Sequence, residues 1–497
     1  MAAVTSPRNR TGPDAVDTMS IVYTELWEKY WKLVEDLMGG THQMRLAGER
    51  WLAKFEGEDD TQYTRRLSNS YLYEMYADTL ESLIDKPFSK SVTINGTLPE
   101  PLEILEENVD MEGTTLSMFC AELMRYGLRH GLAGVLVDHP EVNEPQPLSI
   151  AQEKDRGLRP TFVLIRATDL LGFKYRKGKS GERELTQIRF KECVTEPLGT
   201  YGDQTVEYVR IINAPSGKSP GTWFLYKPGT KNSWEEVAHG THTYPGIPFV
   251  PFYTEKLGFM KARPPLMKLV WLNLRHWSTS SDQNNILQYA RIPLVFLSGI
   301  TQEEKAKKFV FGPAQVIRST SPDADGKFIE HSGKAIEAGE RDLTKLEEQA
   351  ETLGAEPLIE RTNESTATGK GVNEKSRNSS IQRWIRDLEA CIVSCYHMAA
   401  VWVKKEITDK EFGIDIFDDF TIAIRGSTDM QILQKMRDGG DIDQKTLLKG
   451  AKRRGLLSES DNIDDIVQTT KEEGPPLSEL APSPENPTPT KKPPVKK

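Results

Sequence analysis

At 497 residues, 37% of them hydrophobic, the chain is long enough for roughly two to four domains with substantial cores. A net charge of −9 argues against a surface that grips nucleic acid all over, though not against one past which DNA slides. No apolar run reaches the ~18 residues of a membrane span, the first twenty residues lack a secretory hydrophobic segment, and four cysteines are too few for a disulfide framework, which together predict a reducing, cytosolic setting.

Residues 1–19 are small, polar and proline-interrupted, and are expected to form a flexible arm, with order beginning near Ile21. Tyr23, Leu26, Trp27, Tyr30, Leu33, Val34 and Leu37 make a helical stripe that Gly39-Gly40 ends. A second helix is expected from Thr61 to Ile84, stopped by Lys86-Pro87. A third, Thr115 to His130, leads directly into the β-branched run Gly134 to Asp138. From Arg159 to Tyr253 the period becomes that of strands. Thr161 to Ile165, Glu184 to Cys193, Thr205 to Ile212 and Thr222 to Tyr226 predict a meander, Lys174 to Arg183 a basic hairpin tip, and Pro245 to Pro251 an extended connector.

Pro264-Pro265 opens a helix from Leu266 to Ala290. Its second half, Ser278 to Asn285, is polar and uncharged apart from Asp282, which predicts packing against copies of itself. Ile292 to Ser298, Phe309 to Arg318 and Lys327 to Glu330 read as a small β tip. Glu337 to Leu353 then returns, with Leu343, Leu346, Ala350 and Leu353 as a narrow seam for a neighbouring subunit. Gly354 to Asn373 is a polar loop broken by glycines. Ile381, Trp384, Ile385, Leu388, Ile392, Cys395, Ala399 and Trp402 mark a helix of about six turns. A strand, Phe420 to Ile424, and short helices at Met430 to Arg437, Asp443 to Arg454 and Asp461 to Thr469 follow. The Pro, Ser and Lys-rich tail from Pro475 is expected to be disordered. The class is α+β.

Catalytic constellations fail residue by residue. Thr368-Gly369-Lys370-Gly371 lacks the phosphate-loop spacing, because Glu364 and Gly371 stand where a glycine and a hydroxyl are required. Cys391 and Cys395 are one turn apart, but His397 falls off their face, so they read as core thiols. Asp138 and Asp169 follow strands; they are either turn residues or the metal-holding carboxylates of a phosphoryl or nucleotidyl transferase. No resident metal or cofactor is predicted.

Asn69-Ser70-Tyr71, Leu80 to Phe88, Gly131 to Pro140, Arg159-Pro160 to Leu171, Ile247 to Pro251 and Thr366 to Lys370 occur in an order that resembles bacteriophage portal proteins, in particular an uncharacterised-domain branch of tailed-phage portals. The resemblance covers about residues 20–470. It implies a helical and β wing (20–262), a two-helix stem (263–290 and 337–355) around a β clip (291–336), and a tunnel loop (356–372). A long backbone helix with its return strand (373–425), a helical crown (426–470) and a free tail (471–497) complete it. It also implies a non-enzymatic virion subunit, assembled in the host cytoplasm into a ring, usually a dodecamer, at one capsid vertex. Such a head-tail connector conducts double-stranded DNA in packaging and ejection; a structural capsid or connector protein other than a portal is the alternative. The portal's implied partners are further copies of itself, the terminase large subunit, the major capsid or scaffold protein and a head-tail adaptor, with no membrane.

On that reading the candidate DNA-facing loop residues are Asn363, Glu364, Ser365, Thr366, Thr368, Gly369, Lys370 and Gly371, and the candidate acidic channel wall is Glu340, Glu347, Glu348 and Glu351. Glu337 to Glu356 holds seven acids against two bases, −5 per chain and −60 around twelve copies. A wall of that sign repels phosphate so that DNA slides; alternatively the acids are solvated or pair between subunits. Stem and loop carry no strongly basic stretch, a departure from the portal pattern.

Overall fold

A computed structural model gives the fold. It describes residues 15–140, 157–298, 323–358 and 379–418, short gaps apart, and a few positions elsewhere. The chain divides into two units, Met1–Asp418 and Asp419–Lys497. The strand expected at Phe420 to Ile424, most of the crown helices and the tail lie outside the described residues, as do Phe309 to Arg318 and residues 359–378.

Residues 15–19 are held rather than free, a correction to the flexible arm. Arg189 donates to the carbonyls of Val16 (2.9 Å) and Thr18 (3.0 Å), and Ser20 N–H to Leu171 O. Ser20 caps α1 (Ile21–Leu26), which passes through a π turn at Trp27–Trp31 into α2 (Lys32–Met38). The wider π turn advances the phase by one residue, so Trp31 is fully buried where the periodicity expected Tyr30. Gly39-Gly40 bends the path without ending it, with Gly40 at φ +67°, and α3 (Gly40–Ala47) follows.

The helix expected from Thr61 to Ile84 is two, α4 (Asp60–Asn69) and α5 (Met75–Asp85). Tertiary hydrogen bonds hold the break open. Arg45 donates twice to Ser70 O, Thr41 Oγ1 accepts from Leu72 N–H, and Asn273 donates to Tyr73 O while accepting from Tyr76 N–H.

Next come β1 (Thr93–Asn95), α6 (Glu100–Glu103) and α7 (Leu116–His130), capped by Thr115 and closed by Gly131 at φ +83°. A Cβ on Gly131 would overlap the Arg263 backbone, so only glycine fits. The strands that follow are β2 (Leu132–Asp138), β3 (Thr161–Arg166), β4 (Leu170–Lys177), β5 (Arg183–Leu198), β6 (Gly202–Asn213), β7 (Gly221–Pro228), β8 (Trp234–His242) and β9 (Phe249–Tyr253). β10 (Lys256–Gly258) and β11 (Lys261–Ala262) form a small hairpin.

The meander is one antiparallel sheet in the order β4-β5-β6-β7-β8, with β4 and β8 beyond the strands that alternation marked. A second sheet, β3-β2-β9, uses the end of the proline-spaced connector as a strand. β9 sits at an edge with Pro251 opposite Gly134, where proline is tolerated.

The second half of the unit holds α8 (Met267–Ala290), β12 (Leu294–Ser298), β13 (Asp325–Ile329), α9 (Lys334–Ala355), α10 (Ser380–Trp402) and β14 (Gly413–Asp415), which pairs with β1. A main core gathers Tyr23, Trp31, Ile188, Phe190 and Phe249 between the first helices and the sheets. α10 lies against the β3-β2-β9 sheet and buries the stripe from Ile381 to Ala399. Trp384 Nε1 donates to Thr254 O (2.9 Å) and Trp402 Nε1 to Val137 O (3.2 Å).

Candidate functional site

The site is the antiparallel pair α8 and α9, whose far ends lead to the antiparallel strands β12 and β13. Gln283 Nε2 on α8 donates to Ile336 O at 2.9 Å, and Gly339 on α9 lies against the Gln283 carboxamide. Nearer the body, Arg275 meets Asp342 at 3.5 Å and His276 Nε2 meets Glu347 at 3.3 Å. These contacts fix the register of the two helices.

The polar half of α8 has partners inside its own chain. Ser281 is buried and bonded to Ser70 Oγ (2.8 Å), Gln283 is buried on Ile336, and Ser278 lies 3.5 Å from Trp51 O. The expectation that this face packs against copies of itself is therefore corrected for these residues. Small hydroxyls and amides also suit close packing of the α8 helix against α4, α5 and α9. The seam on α9 is corrected for two of its four residues. Leu346 and Ala350 are buried within one chain, whereas Leu343 and Leu353 are half-buried.

Glu340, Glu347, Glu348 and Glu351 are all exposed on α9. At ~100° per residue they fall within about 100° of arc, away from the face of Leu346 and Ala350. Glu347 is tied to His276, whereas the other three project from the helix. The loop residues Asn363, Glu364, Ser365, Thr366, Thr368, Gly369, Lys370 and Gly371 lie outside the described residues.

The transferase reading does not survive the register of the sheet. Asp138 pairs with Thr161 and Ala133 with Arg166, so Asp138 and the Arg166–Asp169 turn sit at opposite ends of the β2–β3 ladder, about 17 Å of strand apart. Each carboxylate has its own guanidinium: Asp138 accepts from Arg210 (2.8 Å) and Asp169 from Arg166 (2.7 and 3.0 Å). Among the described residues no group of three or more His, Cys, Asp or Glu is placed to hold a metal ion. Cys391 and Cys395 are buried, and burial pushes the Cys395 thiol well up.

Sequence reasoning missed a buried polar cluster. Glu35 forms an ion pair with Arg129 Nε (2.8 Å) and contacts His130 Nε2 (2.7 Å), while Trp31 Nε1 donates to His130 O. His130 and Arg129 hold the Glu35 carboxyl down against the desolvation that would raise it, and burial lowers the His130 pKa. The basic pair closing α7 was the visible half of the signal. Its partner lies 95 residues away, which no local pattern shows.

The stretch 265–403, which spans both long helices and α10, matches a family described as a Domain of unknown function (DUF4055). Comparison with curated proteins finds no match. Among solved structures the chain is similar to a chain in the virion of the native gene transfer agent particle, at 10% identity and TM-score 0.40, covering 81% of this chain and 96% of that one. It is similar also to a chain in the neck of the empty particle computed with C6 symmetry (11%, 0.41, 82% and 96%). A third is in the neck of the native particle computed with C12 symmetry (10%, 0.36, 78% and 90%). Among the described residues no helix is long and apolar enough to cross a membrane.

Proposed function

We propose that this chain is the subunit of a homo-oligomeric portal ring, a conduit for double-stranded DNA at a capsid vertex. The observation that carries the reading is the α8–α9 pair. One long helix runs out to the antiparallel β12–β13 pair and another runs back, with Glu340, Glu348 and Glu351 exposed along one side of the returning helix. Arranged around an axis, such a face presents like charge to phosphate at every level. Repulsion, screened over about 8 Å at physiological salt, keeps DNA from adhering as it slides. The loop from Asn363 to Gly371 is the proposed second DNA-facing element, carrying polar and glycine residues rather than a basic grip. Motor activity, on this reading, belongs to a terminase large subunit docked on the ring. The capsid or scaffold protein and a head-tail adaptor are its other partners.

Mass photometry and negative-stain imaging of the full chain test this: closed rings with a central opening are expected, usually of twelve copies. A stable monomer at micromolar concentration overturns it. Deleting Thr362 to Gly371 is expected to spare ring assembly and impair DNA packaging; normal packaging removes the loop from the proposal.

A further inference from the structure

Strands β5 and β6 run on past the sheet that holds them. β4 pairs with β5 only from Arg183 to Phe190, and β7 with β6 only from Val209 to Asn213. From Glu192 opposite Tyr208 to Leu198 opposite Gly202, the two strands pair only with each other. This ribbon reaches about 20 Å beyond its neighbours at ~3.4 Å per residue.

A two-stranded ribbon is marginal in water because it has no covered face. This one ends in apolar side chains, with Leu198 58% exposed and Tyr201 98% exposed at the turn. Residues 192–207 contain Glu192, Glu196, Asp203 and Glu207 and no lysine or arginine. At the base of the arm Glu192 pairs with Arg210 (2.9 Å) and Glu207 with Lys191 (3.0 Å), which leaves Glu196 and Asp203 as the acids nearer the tip.

The other end of the same sheet has the opposite character. Residues 174–184 carry five bases against two acids, a net +3. Lys174, Arg176, Lys177 and Arg183 are exposed there, and Arg183 stacks 5.1 Å over the half-exposed ring of Tyr175. Strand β5 separates the two ends by about 50 Å, so they cannot meet within one chain. Two copies placed head to tail bring them together.

We propose that the β5–β6 arm of one subunit docks on the β4–β5 end of the next copy. Leu198 and Tyr201 pack on Tyr175, and Glu196 and Asp203 face Lys174, Lys177 and Arg183. The contact joins two different surfaces, so it propagates from copy to copy and closes when the step angle divides a full turn. The inference rests on the ring reading and gives the ring a subunit contact remote from the α8–α9 pair.

The test uses the full chain in a Cys193→Ser background, since Cys193 is exposed. Thr200→Cys together with Lys177→Cys is expected to give, under mild oxidation, a ladder of covalent multimers on a denaturing gel that neither change gives alone. In parallel, Leu198→Ser with Tyr201→Ser alters side chains already in solvent, so the fold is retained by circular dichroism. Assembly measured by mass photometry is expected to weaken at least tenfold. If the wild type forms rings while the serine variant assembles equally and no ladder appears, the arm contact is overturned and the ring reading stands. If the wild type is monomeric at micromolar concentration, both fall.

Discussion

Gln283 and Gly339 set how closely the two long helices approach: the buried carboxamide occupies the space that a Cβ on residue 339 would need. Gln283 is held in place by its bond to Ile336 O, so it cannot swing aside freely. Gly339→Ala is expected to destabilise the unit by ~1–3 kcal/mol through overpacking. Gly339→Ala with Gln283→Ala restores space but leaves the Ile336 carbonyl without that donor, recovering part of the loss. Urea unfolding of the two variants beside the wild type measures both effects.

His130 predicts acid sensitivity. Burial lowers its pKa below the ordinary 6.5, so the folded state holds it neutral while the unfolded chain takes up a proton. The stability it contributes is present above about pH 6.5 and is lost as pH falls through its depressed folded value, with a slope of up to ~1.4 kcal/mol per pH unit. His130→Gln keeps a donor toward Glu35 without titrating. The stability advantage of the wild type over His130→Gln, read from urea midpoints, is expected to shrink as pH drops from 7 to 5.

Glu389 titrates with the opposite sign. It is half-buried on α10, accepts from Ile416 N–H at 2.9 Å, and faces Asp415 and Asp418. Desolvation pushes its carboxyl up to about 7. Its favourable contribution is therefore fully present below about pH 4.5 and lost as pH rises through 7. Glu389→Gln retains the acceptor and removes the charge. Its thermal midpoint should exceed that of the wild type at pH 8, and the gap should close below pH 5.

The acidic face of α9 gives a functional prediction. Glu340, Glu348 and Glu351 are exposed, so replacing all three with Gln is expected to leave the melting curve within about 0.5 kcal/mol of the wild type. Replacing them with Lys reverses the local charge and is expected to slow DNA packaging, with retention of DNA that weakens as salt rises. Unchanged packaging by the lysine variant removes these residues from the channel wall.

Sequence alone determined the elements whose signal is local. The α10 stripe from Ile381 to Ala399, the Thr115-capped helix ending at Gly131 and the succession of helix, β tip and helix are each written in periodicity, caps or turns. Tertiary structure decided what depends on distant partners. Arg45, Thr41 and Asn273 break the expected Thr61 to Ile84 helix at Ser70, because their hydrogen bonds outweigh local helix propensity. Arg189 orders Val16 and Thr18, and Leu346 and Ala350 are buried within their own chain. Asp138 and Asp169 look alike in sequence, each at the end of a strand, yet the β2–β3 register puts them at opposite ends of the sheet. Register is a long-range property fixed by which faces are buried, and that choice is made by the packed molecule rather than by either strand.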